Sequence, residues 1–301
     1  MISRLCLWLL LFLYKIYPFS KGLGRIQLLG LKFLQGQDLI VDCYGDTKFY
    51  LSFPRDNGWE CLYFQGLCER NTTEIFSKLL KKESVFFDIG ANIGWFSVLA
   101  SKKIMSEGGI HAFEPAPNIH EELIKNLSLN NKNGDKIFIN NMALGGEAGT
   151  VVIHSFPEKA HGHSSIKDVY GTGSIEGEVE MITLDQYIAD NGIDNVDLIK
   201  LDVEGAEMMV LDGASNLLNG KNTPTWFIEM NEETAKAFNY ECFELIERIL
   251  NTGDYALYKV AGAWSTVTEM QDSTDFDHGD NVFCIPKSKT DEIKVLNSFI
   301  V

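Results

Sequence analysis

The sequence predicts an α/β fold: a mostly parallel sheet covered by helices on both faces. Three observations predict it. From residue 84 onward, short apolar runs alternate with stretches of helical spacing, which is the pattern of a parallel sheet with crossover helices. The first of these runs, Val85-Phe86-Phe87, feeds a glycine-bearing loop, Asp88-Ile89-Gly90-Ala91-Asn92-Ile93-Gly94, and a helix follows. Carboxylates close later runs, at Glu114, Asp202 and Glu229, and ligands of such sheets bind at the carboxyl ends of the strands.

Taken in order, Leu5 to Tyr14 is ten apolar residues in a row. A bilayer span needs about 20, so this run is too short to cross. Arg4 precedes it, as in a signal peptide, but no small-x-small cleavage site follows. A helix packed on the body and a helix in a membrane interface both fit. Trp8, Tyr14 and Tyr17 beside Lys15 and Lys21 suit the interface, so a peripheral membrane contact through residues 1–20 of a cytoplasmic chain stands beside internal packing as an open alternative. Leu39–Cys43, Lys48–Phe53 and Glu60–Phe64 read as short strands, separated by turns at Gly45-Asp46 and Asp56-Asn57-Gly58. Thr72–Lys82 has helical spacing.

The alternating region then reads as strand Val85–Ile89, helix Trp95–Met105, strand Ile110–Phe113, helix Asn118–Asn130 and strand Lys136–Asn141. Strands at Val151–His154 and Val179–Ile182, a helix at Leu184–Asp190, strand Val196–Leu201 and helix Ala206–Leu218 follow. Strand Trp226–Met230, helix Thr234–Thr252 and strands Ala256–Val260 and Val282–Ile285 complete it. Ser155–Gly177 is a long polar connection, a candidate binding loop or lid.

Charge narrows the chemistry. The chain of 301 residues carries a net charge of −16, which disfavours a nucleic-acid substrate. Residues 1–37 hold five basic residues and no acidic one, leaving 21 basic against 42 acidic residues beyond, a net of −21. The six cysteines form no C-x-x-C pair and read as scattered reduced thiols.

The loop after the first strand selects a cofactor class. A dinucleotide needs G-x-G-x-x-G; here Asn92 occupies the middle glycine position of Gly90-x-x-x-Gly94. S-adenosylmethionine carries an ammonium and a sulfonium instead of phosphates. Asp88 suits the ammonium, with Gly90, Ala91, Asn92 and Gly94 forming the loop. Glu114, followed by Pro115, stands 20 residues after Gly94, where a carboxylate can accept from two ribose hydroxyls. Asn141 and Ala143, past the third strand, are candidates to line an adenine pocket.

Together these segments resemble the FkbM family of methyltransferases, in order from Gly66 to Pro286. The pieces are FFDIGANIGWFSVLAS (86–101), HAFEPAPNIHEELIKNL (111–127), NNMALG (140–145), ITLDQY (182–187), DLIKLDVEGAEMMVLDGA (197–214) and FIEMN (227–231). The resemblance implies a Rossmann-like class I methyltransferase fold with a seven-stranded sheet over 66–301, preceded by a small helical and β element over 1–65. It implies S-adenosylmethionine as methyl donor and a hydroxyl of a sugar, glycan or secondary metabolite as acceptor. The alternatives are a nucleotide-linked oxidoreductase or epimerase on the same fold, and a non-catalytic membrane-peripheral scaffold.

An alcohol must lose a proton to accept a methyl group, so a base is needed near the donor. Asp202, just past the fourth strand, is the first candidate, then Glu204 and Glu229. His163 or His161 is a further candidate, since imidazole titrates near neutral pH. No ligand triad is evident, so no metal is expected.

Overall fold

The computed structural model describes residues 2–16, 23–53, 58–131, 136–156, 163–261 and 266–300. Tyr17, Lys21, the Asp56-Asn57 turn and His161 lie outside these residues, as do the side chains of Arg4, Trp8 and Lys15. The chain divides into two compact units: residues 1–68 with 156–163, and residues 69–155 with 164–301.

In the first unit, helices Ile2–Ile16 and Leu23–Leu34 pack on one another. A hairpin follows, with Asp38–Cys43 antiparallel to Thr47–Ser52. Gly45 and Asp46 both have positive φ, as the tight two-residue turn requires. Two expectations are corrected here. Glu60–Phe64 is not a strand but part of a helix, Glu60–Gln65. Five residues are too few to separate the two periodicities, and the decisive feature lies just outside them: Gly66 takes the left-handed C-cap, with its N–H on the Leu62 carbonyl. Nor are all six cysteines free, because Cys61 and Cys68 form a disulfide. Among the four free cysteines, burial pushes the Cys43, Cys242 and Cys284 thiols up to about 12.

The second unit is built on one large sheet. Its strands are β1 (Val85–Ile89), β2 (Gly109–Phe113), β3 (Ile137–Asn140), β4 (Leu198–Leu201), β5 (Thr225–Glu229), β6 (Tyr255–Val260), β7 (Val267–Glu269) and β8 (Asn281–Pro286). They lie in the order β7-β6-β8-β5-β4-β1-β2-β3. Neighbours from β3 through β5 run parallel, while β8 runs antiparallel between β5 and β6. The order reverses between β1 and β4, and a crevice outside their carboxyl ends is where such a sheet takes its ligand. This is the class I methyltransferase architecture, with one correction. The sheet has eight strands, not seven, because the three-residue β7 adds an edge too short to leave a periodic signal.

Both faces of the sheet are covered, which is why its strands read as continuous apolar runs. The adjacent pairs Phe86–Phe87 and Trp226–Phe227 point to opposite faces, yet all four are buried. Phe87, Ile199, Leu201, Trp226 and Ile228 belong to one core layer. On the opposite face Phe96 packs edge-on against Phe76 and Phe227, and Phe227 stacks on Phe283.

Two helices expected as single pieces are broken. The Ala206–Leu218 stretch splits into Glu207–Asp212 and Ser215–Leu218 at Gly213, where a Cβ would meet the Gly145 carbonyl at 2.1 Å. Thr234–Thr252 splits into Glu232–Ala237 and Cys242–Leu250. Asn239 turns left-handed between them, and the Glu241 N–H starts the second by donating to Glu244 at 2.7 Å. Among its described residues, the Ser155–Gly177 connection holds strands that were not expected. Ser164–Ser165 and Ser174–Ile182 are strands of a small sheet with Gly149–Ser155 and Ala143–Leu144.

Candidate active site

At the end of β1 the chain must turn sharply to start helix Trp95–Ser101. The Gly90 and Ala91 N–H groups both donate to the Phe113 carbonyl, at 3.0 and 2.9 Å, tying the loop to β2. Gly90 has φ +79°, and a Cβ there would lie 1.7 Å from the Asp202 carbonyl oxygen. Only glycine lets the loop lie against the end of β4. Asn92 is left-handed, and its N–H donates to Glu114 Oε2 at 2.9 Å. The other Glu114 oxygen accepts from the Ala116 N–H at 2.9 Å. Glu114 is buried, and burial pushes its carboxyl up to about 7 against the pull of those two N–H groups and Lys200. Asp88 is fully buried. Its Oδ2 accepts from the Ser97 hydroxyl at 2.6 Å, while Oδ1 has no hydrogen-bond partner among the described residues.

The end of β4 makes a second turn of the same kind. Glu204 has φ +53° and Gly205 φ +104°. A left-handed glutamate is uncommon and marks a conformation imposed by its surroundings. Glu207, first residue of the next helix, imposes it: Oε1 accepts from the Val203 and Gly205 N–H groups at 2.9 and 3.2 Å. Its Oε2 accepts from the buried Tyr240 hydroxyl at 2.6 Å. The turn brings Asp202 and Glu204 beside Glu229 at the end of β5, with one carboxylate oxygen from each within a 4.8 Å set. The ionised Asp202 next to it, then burial, raise Glu229 well above the usual carboxylate range.

Lys200 joins the two turns. It stands opposite Asp88 in the β4–β1 register and is nearly fully buried. Its Nζ donates to the Gly90 carbonyl at 3.0 Å and to Asp202 Oδ2 at 2.7 Å. Burial alone would lower its affinity for a proton, but Asp202 and Asp88 outweigh that, so the ammonium is held charged.

Of the sequence candidates, Asp202, Glu204 and Glu229 come together, and so do Asp88, Gly90, Ala91, Asn92, Gly94 and Glu114. Asn141 supports the turn after β2, donating from Nδ2 to the Glu114 and Pro115 carbonyls at 3.0 Å each. Ala143 is buried in its short strand. His163 belongs to the first unit, and the acid cluster is built from the second. The sequence reading missed Lys200, Glu69, Ser165 and Tyr170. A lysine inside the apolar run Leu198–Leu201 was a visible anomaly. Glu69, left-handed and hydrogen-bonded to Asn281 Nδ2 at 3.0 Å, gave no local signal, yet its charge reaches Glu229. Ser165 donates to the Glu204 carbonyl at 2.9 Å. Burial, then Glu204, Glu233 and Glu229, push the Tyr170 phenol up to about 12. The segment read as a lid thus reaches the acids through a serine and a tyrosine.

The spacing Tyr255-x-x-x-Lys259, found in one class of nucleotide-linked oxidoreductases, falls on β6. There the two side chains are about 13 Å apart along a strand, and Lys259 is paired with Asp275 at 2.7 Å.

Residues 88–258 match the methyltransferase FkbM domain, a span that holds both turns and the acid cluster. Methyltransferase sdnD of Sordaria araneosa is 32% identical over 42% of this chain and 58% of its own length. Hexuronic acid methyltransferase AglP of Haloferax volcanii is 24% identical, covering 51% of this chain and 59% of that protein. The 31-O-demethyl-FK506 methyltransferase FkbM of Streptomyces tacrolimicus is 28% identical, covering 46% and 62%. The chain spans about three-fifths of the length of these curated relatives. With more than half of its residues in the matched domain and both turns inside it, the chain belongs to the methyltransferase FkbM family.

Proposed function

We propose that the chain transfers a methyl group from S-adenosylmethionine to a hydroxyl oxygen of a sugar, a glycan or a secondary metabolite. The observation that carries this reading is the Asp202–Glu229 carboxyl pair, joined through Lys200 to the glycine loop of β1. A base and a donor-binding loop share one cation. Two of the relatives are described as a hexuronic acid methyltransferase and a 31-O-demethyl-FK506 methyltransferase, which fits a small hydroxylated acceptor. The net negative charge argues against nucleic acid.

The residues of the first turn fit the donor. Asp88 Oδ1 is a buried carboxylate oxygen lacking a partner among the described residues, and a cationic amino group would satisfy it. Each Glu114 oxygen holds one N–H and keeps a lone pair for a ribose hydroxyl. Asn141 and Ala143 would border the adenine. When bound, the donor supplies a methyl group already activated by a sulfonium.

The protein's own work is to bind, align and deprotonate. Holding the acceptor oxygen in line with the methyl group is worth up to about 7–11 kcal/mol. The acceptor proton passes to the Asp202–Glu229 pair. Lys200 fixes Asp202 in its ionised form, and Asp202 in turn makes Glu229 the more basic partner. Glu204 and Tyr170 line the acceptor side. The three carboxylates form a set able to hold a divalent cation; in this reading Lys200 alone offsets their charge before reaction, and the acceptor's proton on Glu229 offsets it afterwards. The test is methyl transfer from labelled S-adenosylmethionine to a panel of hydroxylated acceptors. Asp202→Asn and Glu229→Gln should each lower kcat by about 10²–10⁴-fold while donor binding, read by calorimetry, persists. In Asp202→Asn the acid limb of the kcat/KM profile should move to lower pH, since the main cause of the Glu229 shift is gone. Heat of binding with NAD and none with S-adenosylmethionine would sink the reading. Activity lost on chelation and restored by Mg²⁺ would place a metal among the three carboxylates instead.

A further inference from the structure

Helix Ile2–Ile16 contains no polar residue between Cys6 and Leu13, so it has no side fit for water. It buries Leu7 and Leu10, while Leu9 and Leu13 stay 45% and 48% exposed. A helix apolar all round is ordinarily covered all round. Helix Leu23–Leu34 repeats the problem in a sharper form. Arg25, Leu28, Leu29 and Lys32 follow the i, i+3, i+4, i+7 spacing of a single helix face, and all four are exposed, Leu28 to 64%. Neighbouring exposed leucines flanked by cations are not explained by packing within this chain. Tyr14, by contrast, is no interfacial aromatic: it packs on Phe64 with ring centroids 5.3 Å apart.

The charges say what covers this face. No acidic residue occurs before Asp38, so nothing on these two helices offsets Arg25 and Lys32. A second copy docked face to face would set those cations against their equivalents, which is unfavourable. Among the described residues no helix is long and apolar enough to cross a membrane. We propose that the exposed face of Leu23–Leu34, with Leu9 and Leu13 of the preceding helix, lies on the surface of an anionic lipid bilayer. Leu28 and Leu29 enter the acyl boundary, and Arg25 and Lys32 meet the headgroups. The surface is thereby placed on a helix that the apolar run at Leu5–Tyr14 does not include.

The test is sedimentation of the full chain with vesicles of phosphatidylcholine alone or mixed with phosphatidylserine, with light scattering on the lipid-free protein. The chain should pellet with the mixed vesicles and be released by high salt. Arg25→Gln/Lys32→Gln should weaken partition about 30-fold, the loss of two basic side chains at an anionic surface. Leu28→Ser/Leu29→Ser should leave the protein in the supernatant with both vesicles, with its circular dichroism unchanged. Four results would overturn the proposal: a parent chain that stays in the supernatant, equal pelleting on both lipids, either double variant pelleting like the parent, or a lipid-free dimer that Leu28→Ser/Leu29→Ser dissociates.

Discussion

The turn after β1 and the turn after β4 are built alike and do different things. Each follows a parallel strand, contains a left-handed non-glycine residue (Asn92, Glu204) and a positive-φ glycine with no room for a Cβ, and is held by a buried glutamate accepting two backbone N–H groups. The difference lies in what the glutamate has left. Glu207 spends its second oxygen on Tyr240, so both of its oxygens are committed within the chain. The Glu114 carboxylate has no further hydrogen-bond partner among the described residues, and burial holds it at about 7, ready to respond to a ligand. In the proposed reading, one architecture makes a binding turn where the glutamate keeps capacity, and a positioning turn where it is saturated.

Lys200 is the sharpest place to break the comparison, because it serves both turns. Lys200→Met should cost about 3–5 kcal/mol of unfolding free energy in urea, as removing one partner of a buried ion pair does. Both donor affinity and turnover should fall with it. An unchanged urea midpoint would show that the two turns stand independently.

A smaller effect separates the glycines. Gly90 and Gly94 both have positive φ, but Gly90→Ala should lose about 3 kcal/mol, because its Cβ also strikes backbone. Gly94→Ala, whose Cβ meets only the tip of Leu123 at 2.6 Å, should lose about 1–2 kcal/mol. Equal thermal shifts in the two variants would contradict the close approach of β1's loop to the end of β4.

The smallest effect is in pH. Ionised Glu114 is the form that accepts hydroxyl donors, so donor affinity should be flat above pH 7 and fall by up to about tenfold per unit below it. Stability without ligand runs the other way. Burial raises the folded-state pKa above the unfolded one, so the stabilisation is present at low pH and lost as pH rises toward 7. Glu114→Gln should flatten both slopes in calorimetry and thermal melts. A Glu114→Gln protein that keeps the wild-type pH dependence of donor binding would move the ribose contact to another residue.

How much of this was legible follows from distance along the chain. The first turn was readable because its parts lie within one strand-loop-helix unit, and Glu114 closes the next strand. The acid cluster was half readable: strand ends identified Asp202 and Glu229, but nothing local says that β4 and β5 are neighbours. Lys200 and Gly90 are 110 residues apart, so their bond left only an odd lysine in an apolar run. Glu60–Phe64 failed because five apolar-rich residues satisfy both periodicities, and the glycine after them decides.

By itself the sequence determined the α/β alternation, the glycine turn that lacks the middle glycine of a dinucleotide loop, the carboxylates at the strand ends and the basic, apolar start of the chain. These follow from periodicity, backbone freedom and residue chemistry, which act over a few residues. The tertiary structure decided that β1 and β4 lie side by side at the reversal of strand order, that one buried ammonium serves both turns, and that Glu69 and Tyr170 join the acids. Those are consequences of through-space electrostatics and packing between segments far apart in the chain, which no local pattern records.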